Sequence, residues 1–427
     1  MRTRLALAAL TLAAAAAAPL APTASAATSS AEYVGVAPAR YLDTRPGFAT
    51  FDGQFTGIGR ISGNEDVVTL PIGGRGDVPT DVLAVSLNVT VTGADAAGYL
   101  TVWPCSAEIP TASNLNYTAG QTVANAVISG TAFDGSVCLY AKSPVHAVVD
   151  VVGYLPVSST YRPLVPLRLY DTRAGTCDEP WTSTEILNFM YPLWANEREE
   201  GCTSPYQDNY MEIPADARAA ILNVTAVDTA QAGYVSTATC GNYDTPRTST
   251  LNFDGPGQVV PNLAIAAVTS SGVGDPGSLC FQQKANGHLV LDAFGYFPAD
   301  AAYTSIRPER LVDSRPDGAT GDGLSAGHGR SARFEEVEFA VGGRLDGTLP
   351  TSFAAVVLNV TVTGSDLPGW VALYPCGTDP STSTVNFAAG QTVANAAIVS
   401  PGANGSFCYR ASQPVNVIVD LRLEQRP

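Results

Sequence analysis

Three stretches of this chain carry the same motifs in the same order, and that repetition limits the possible folds more than any other feature. "RYLDTRPG" at 40–47 returns as "RLYDTRAG" at 168–175 and "RLVDSRPD" at 310–317. "LNVT" stands at 87–90, 222–225 and 358–361. "SNLNYTAGQTVAN" at 113–125 matches "STLNFDGPGQVVPN" at 249–262 and "STVNFAAGQTVAN" at 383–395. "VVDVVGYL" at 148–155 matches "VLDAFGYF" at 290–297 and, in part, "IVDLRLEQ" at 418–425. A repeat this long is too large for a solenoid coil and large enough to bury a core of its own. The units run over 33–155, 161–297 and 303–423. The joints "GYLPVSSTY" and "GYFPADAAY" are short, which predicts a semi-rigid string of domains.

Each unit reads as strands. In "VSLNVTVT", Val85, Leu87, Val89 and Val91 alternate with Ser86, Asn88, Thr90 and Thr92, the period-two signature of a strand with one apolar face. After the turn "GADAAG", "YLTVWPC" reads as its hairpin partner. Further β-branched runs follow between Gly, Ser and Pro clusters, and no amphipathic helix is evident. Eight or nine strands per unit predict an all-β fold of three tandem disulfide-bonded β-sandwich domains, with a jelly roll as one form. A β-helix is the alternative, but the short internal repeat it requires is missing.

The cysteines repeat with the units. Cys105 and Cys138, Cys240 and Cys280, and Cys376 and Cys408 each pair the end of one strand run with the middle of another. Cys177 and Cys202 remain, both in one loop of the second unit. Eight cysteines in an exported chain read as four disulfides with those pairings, and closely spaced zinc-type pairs are absent.

Export is expected from the first 26 residues. Arg2 and Arg4 precede a Leu/Ala run and the small-residue site Ala24-Ser25-Ala26, the layout of a signal peptide. The run is short for a bilayer span, and no later segment is apolar for that length. Losing Arg2 and Arg4 with the leader leaves 21 basic against 39 acidic residues. That balance argues against nucleic acid and anionic lipid as partners. No spacing of metal ligands and no cofactor motif is present.

The repeated polar residues form the first candidate site: Arg40, Asp43, Arg45, Asn88, Asn125 and Asp150, with Asp171, Arg173, Asn223, Asn262 and Asp292, and Asp313, Arg315, Asn359, Asn395 and Asp420. In an extended segment Asp43 and Arg45 share one face, Arg40 and Thr44 the other. A hydrogen-bonded plug pinning the first strand is one reading; a polar ligand cleft, of the kind sugars require, is the other. A second candidate lies between Cys177 and Met211, where the second unit departs from its own template. Trp181, Tyr191, Trp194, Tyr206 and Tyr210 make that loop either a satellite core or a recognition surface.

The combined string of DTR, LNVT, the Pro-Cys strand, GQTVAN and DVVGYF resembles a repeat module of secreted and cell-surface proteins of high-GC Gram-positive bacteria. There such modules accompany peptidoglycan amidases, proteases and other exported hydrolases. The resemblance covers nearly all of the mature chain and implies no ligand and no catalytic residue. Here no enzyme domain stands beside the repeats, and the second unit reads "STATC" where the others have Trp/Tyr-Pro-Cys.

Other motifs have plain explanations. "GLSAG" at 323–327 matches a nucleophile elbow but lies in a glycine-rich loop leading to a strand. "RGD" at 75–77 has the counterpart "RLD" at 344–346, which favours a turn. The expected function is therefore non-catalytic: a secreted, cell-envelope-associated binding or display protein recognising glycan or another envelope protein weakly. An exported hydrolase with an unrecognised site and a passive spacer are the alternatives.

Overall fold

The computed structural model describes residues 32–63, 66–173, 213–238, 248–268, 277–301, 303–347, 349–378, 382–402 and 405–425, and the backbone of 186–189. The expected leader, Trp181, Tyr191, Trp194, Tyr206, Tyr210, Cys177, Cys202 and Cys240 all lie outside these residues. Every described element is a strand. The first repeat holds β1 (Val34–Asp43), β2 (Val67–Pro71), β3 (Val82–Thr92), β4 (Gly98–Pro104), β5 (Leu115–Tyr117), β6 (Val123–Gly130), β7 (Ser136–Ala141) and β8 (His146–Pro156). The second holds β9 (Arg162–Asp171), β10 (Ile186–Phe189), β11 (Ala219–Val227), β12 (Gly233–Ala238), β13 (Leu251–Phe253), β14 (Val260–Ala267), β15 (Leu279–Gln283) and β16 (His288–Phe297). The third holds β17 (Tyr303–Asp313), β18 (Glu336–Ala340), β19 (Ala355–Thr363), β20 (Gly369–Pro375), β21 (Val385–Phe387), β22 (Val393–Val399), β23 (Ser406–Ala411) and β24 (Asn416–Gln425).

Each repeat makes two four-stranded antiparallel sheets. In the first, the orders are β1-β8-β3-β6 and β2-β7-β4-β5, and both recur in the other two repeats. The nested pairs β1–β8, β2–β7, β3–β6 and β4–β5 are the wiring of a jelly roll. The expected β3–β4 hairpin is not made. The chain turns at Gly93, whose φ of 60° suits glycine, and crosses from one sheet to the other. Strand β10 takes the place of β2 in the second repeat, inside the segment that departs from the template.

The alternating apolar residues face a core between the two sheets. Leu42, Leu70, Leu87, Val89, Leu100, Val102, Val127, Leu139 and Val149 are among those in the first repeat, and the other two have cores of the same kind. The polar face of the β3 pattern is where the structure departs from expectation. Ser86, Asn88 and Thr90 are buried too, because that face packs on another repeat. Residues 31–427 form one compact unit, so the repeats do not make the expected string. A fourth apolar core draws Ala84, Ile128 and Leu155, Ile221, Ile265 and Phe294, and Val357 and Ile398 from the three repeats together. The strands β6, β14 and β22 touch one another pairwise at its centre.

The Gly-Tyr pair has a steric reason. A Cβ on Gly153 would stand 2.1 Å from the Tyr33 hydroxyl. That hydroxyl donates to the carbonyls of Val152 at 3.0 Å and Ile398 at 3.1 Å, tying the first repeat to the third. The glycine therefore serves the tyrosine that opens its own repeat.

Candidate functional site

The Arg-x-x-Asp-Thr/Ser-Arg motif ends the first strand of each repeat, and a β-bulge decides what it does. Arg40 pairs with Asp150 and Leu42 with Val149, so Tyr41 is an extra residue in β1. Leu169 and Leu311 are extra in the same way in β9 and β17. A bulge shifts the alternation by one. Arg40 and Asp43, expected on opposite faces of a regular strand, consequently meet on one. Arg40 donates to Asp150 through Nε at 2.9 Å and to Asp43 through Nη1 at 3.2 Å. Arg45 holds Asp43 bidentately at 2.9 and 2.7 Å. The chain Asp–Arg–Asp–Arg recurs through Asp292, Arg168, Asp171 and Arg173, and through Asp420, Arg310, Asp313 and Arg315.

The carboxylates are buried, whereas the arginines keep an open flank: the Arg45, Arg173 and Arg315 side chains are 27%, 40% and 39% exposed. Burial pushes the Asp150, Asp292 and Asp420 carboxyls up, opposed by Arg40, Arg168 and Arg310. Burial would also raise Asp171 and Asp313, but the hydrogen bonds and charge of Arg173 and Arg315 outweigh it and hold both below the usual carboxylate range. The motif's hydroxyl caps the strand that follows it in the sheet. Thr44 Oγ1 accepts from the Ala147 amide and contacts His146 Nδ1 at 3.1 Å; Thr172 does the same with Leu289 and His288. In the third repeat Ser314 does so with Val417 and Asn416.

The repeated asparagines join the repeats. Asn125 Nδ2 donates to Asn223 Oδ1, Asn262 Nδ2 to Asn359 Oδ1 and Asn395 Nδ2 to Asn88 Oδ1, each at 2.9 Å. The three bonds run first to second, second to third and third to first, so they close a ring. Asn125, Asn262 and Asn395 each accept an amide through Oδ1 as well, from Leu263, Ala396 and Ala126. Asn223, Asn359 and Asn88 donate to the carbonyls of Ser113, Ser249 and Ser383 in the preceding repeat. Neutral amides with both ends used suit a buried joint, where an unpaired group would be costly.

In the third repeat the motif arginines lie opposite the second sheet of the preceding repeat. Between the second and third repeats this leaves a cleft of about 350 Å³ lined by Arg310, Arg315, Thr361, Tyr234, Thr248 and Asn252, among others. Between the third and first there is a more apolar cavity of about 230 Å³, lined by Val152, Leu373, Pro375 and Ile398, among others. Sequence reasoning singled out Arg315 and the asparagines but missed Tyr234, Thr248 and Thr361. Only the alignment of the repeats to one another, with the neighbour known, brings these together.

The cysteine pairs Cys105–Cys138 and Cys376–Cys408 are joined as disulfides. Cys280 is disulfide-bonded as well. Arg75 of "RGD" is buried, paired with Asp52 at 2.9 Å and donating to the Pro71 carbonyl, so it is a structural side chain; Arg344 repeats the arrangement with Asp322. Ser325 of "GLSAG" sits at φ 54° in the loop before β18, with no helix after it. Among the described residues no group of His, Cys, Asp and Glu is placed to hold a metal ion, and no helix is long and apolar enough to cross a membrane.

No family profile matches the chain, and no curated protein does. Among solved structures it is similar to a triple jelly roll protein from the turret of an archaeal virus, at 9% identity over 92% of this chain and 90% of that one, with a TM-score of 0.22. Similarity to a chain of Sulfolobus turreted icosahedral virus covers 86% of each chain at 8% identity and a TM-score of 0.20. A chain of the lipid-containing bacteriophage PM2 follows at 10% identity over 85% of this chain and 98% of that one, with a TM-score of 0.11. Likeness at this level assigns neither family nor function.

Proposed function

We propose that the chain is an exported, non-catalytic binding or display protein of the cell envelope, built of three disulfide-bonded jelly-roll sandwich repeats locked into one body. The observation that carries this reading is the cyclic asparagine joint with its open arginine flanks. Rigid joining sets three like polar edges at fixed separations, and weak sites so fixed add their affinities without new contacts. The ligand on this reading is a glycan or an envelope protein. Strand disulfides support an oxidising compartment outside the cytoplasm. The acidic balance supports neither nucleic acid nor anionic lipid as a partner.

The test is co-sedimentation of the mature protein with purified cell walls, with and without their secondary polymers. Saturable pelleting is expected. Hydrolysis of an esterase, protease or glycosidase substrate that vanishes on a point substitution would replace this reading with that of an exported hydrolase.

A further inference from the structure

The cleft between the second and third repeats differs from its two counterparts in what it leaves unpaired. In the first repeat Asn116 Nδ2 donates to Ser113 Oγ at 3.3 Å, and in the third Asn386 Nδ2 donates to Ser383 Oγ at 3.1 Å. The equivalent Asn252 Nδ2 is buried and has no partner among the described residues. Thr225 Oγ1 accepts from Asn223 Nδ2 at 3.4 Å, while the equivalent Thr361 Oγ1 is buried without a partner. Thr248 Oγ1, where the first repeat has Ala112, is a third such atom. Thr248 and Thr361 are 2% and 3% exposed. All three residues line the one cleft of about 350 Å³. Buried polar atoms without partners are rare and costly. Three converging on one opening indicate a place for a ligand that would satisfy them.

The walls say what kind of ligand. Arg310 is already held by Asp313 and Asp420, and Arg315 by Asp313. The cations are therefore spoken for, and the unmatched groups are two hydroxyls and an amide donor, all neutral. Thr363 and Thr392 bond to each other at the rim, and Tyr234 supplies an aromatic wall. Hydroxyls and an amide beside an aromatic ring are the recognition set for a neutral polyhydroxylated ring, and the volume lies in the range of small-molecule sites.

We propose that this cleft is a binding site for a neutral sugar, with Thr248, Asn252 and Thr361 as its hydrogen-bonding residues. The proposal deepens the envelope-binding reading and rests on it only for the ligand's source. The test is calorimetric titration of the full mature protein with glucose, galactose, mannose and N-acetylglucosamine, alongside glucuronate and inorganic phosphate, using the parent, Thr361→Val, Asn252→Leu and, as control, Thr225→Val. At least one neutral sugar is expected to bind the parent and the control alike. Thr361→Val and Asn252→Leu are each expected to weaken it by about tenfold, the value of one lost buried hydrogen bond. Thr361→Val should melt no lower than the parent, since it removes an unsatisfied hydroxyl. Binding by glucuronate or phosphate alone, no saturable binding of any neutral sugar, or equal binding by all four proteins would overturn the proposal. Wall pelleting in those cases leaves the envelope reading standing; sugar binding without wall pelleting removes the envelope reading and keeps the cleft.

Discussion

The joint between the first and second repeats and the joint between the second and third share one hydrogen-bonded skeleton and differ in what fills them. Position 294 in the second repeat is Phe, buried in the core that all three repeats share. The equivalent in the third repeat is Arg422, buried and donating to Thr237 Oγ1 and to the Ser249 carbonyl of the second. In the first repeat it is Val152, and there the cavity of about 230 Å³ opens toward the third repeat. The asparagine ring fixes how the repeats sit, and it tolerates an aromatic, a cation or a gap beside it. Specificity between repeats can therefore change one joint at a time without disturbing the frame.

The largest effect should come from the apolar filler. Phe294→Ala is expected to cost about 3–5 kcal/mol in chemical denaturation, as for a fully buried aromatic. A loss confined to the range of about 1 kcal/mol would mean that the central core is not shared. Next come the amides. Asn125→Ala, Asn262→Ala and Asn395→Ala each strand buried partners in a neighbouring repeat, and each should cost about 1–3 kcal/mol. The three costs should agree; one outlier would break the threefold equivalence of the joints.

Acid should act through the motif aspartates. Asp171 and Asp313 have folded pKa values below the ordinary 3.8. A carboxyl depressed on folding contributes stability that is complete above its unfolded pKa and is lost as pH falls through the folded one. Thermal stability should therefore change little through these two groups down to about pH 5 and drop below pH 4. Asp150, Asp292 and Asp420, pushed up by burial, contribute with the opposite sign, so the decisive measurement is group by group. Asp171 and Asp313 carboxyl resonances titrating at or above 3.8 would contradict their ion pairing with Arg173 and Arg315.

Much of this frame was legible in the sequence, and the illegible part has a single physical origin. The alternation in "VSLNVTVT" marks a strand with an apolar and a polar face, and both faces are there. Periodicity cannot say whether a polar face meets water or another polar face. Asn88 looks the same either way, until Asn395 of the third repeat is found against it. The bulge at Tyr41 was equally hidden, since one extra residue leaves no mark in composition yet moves Arg40 onto the face of Asp43. The turn "GADAAG" suits a hairpin by length, and only the second sheet's need for β4 sends the chain across. Thr361 was invisible as a site residue because its counterpart Thr225 is an ordinary partner; the difference lies in what surrounds it.

The smallest effect is the sharpest test of the comparison. Arg422 is the one filler that carries charge, and burial lowers its pKa to about 10. A base depressed on folding binds fewer protons folded than unfolded between that value and its ordinary 12.5, so its burial penalty is relieved only as pH rises through that window. At neutral pH the penalty is present in full. Removing the guanidinium strands nothing: the Ser249 carbonyl keeps Asn359 Nδ2 at 2.7 Å, and Thr237 Oγ1 keeps Thr250 Oγ1 at 3.2 Å. Asp420 loses the attraction of Arg422 but keeps Arg310 at 2.8 Å, so no buried carboxylate is left without its cation, and the desolvation cost of the guanidinium is removed. Arg422→Met should therefore denature within about 1 kcal/mol of the parent at pH 7, or above it, in contrast to Phe294→Ala at the equivalent site. A loss comparable to that of Phe294→Ala would mean that Arg422 is the bond holding the second joint, and that the asparagine ring alone does not set how the repeats pack.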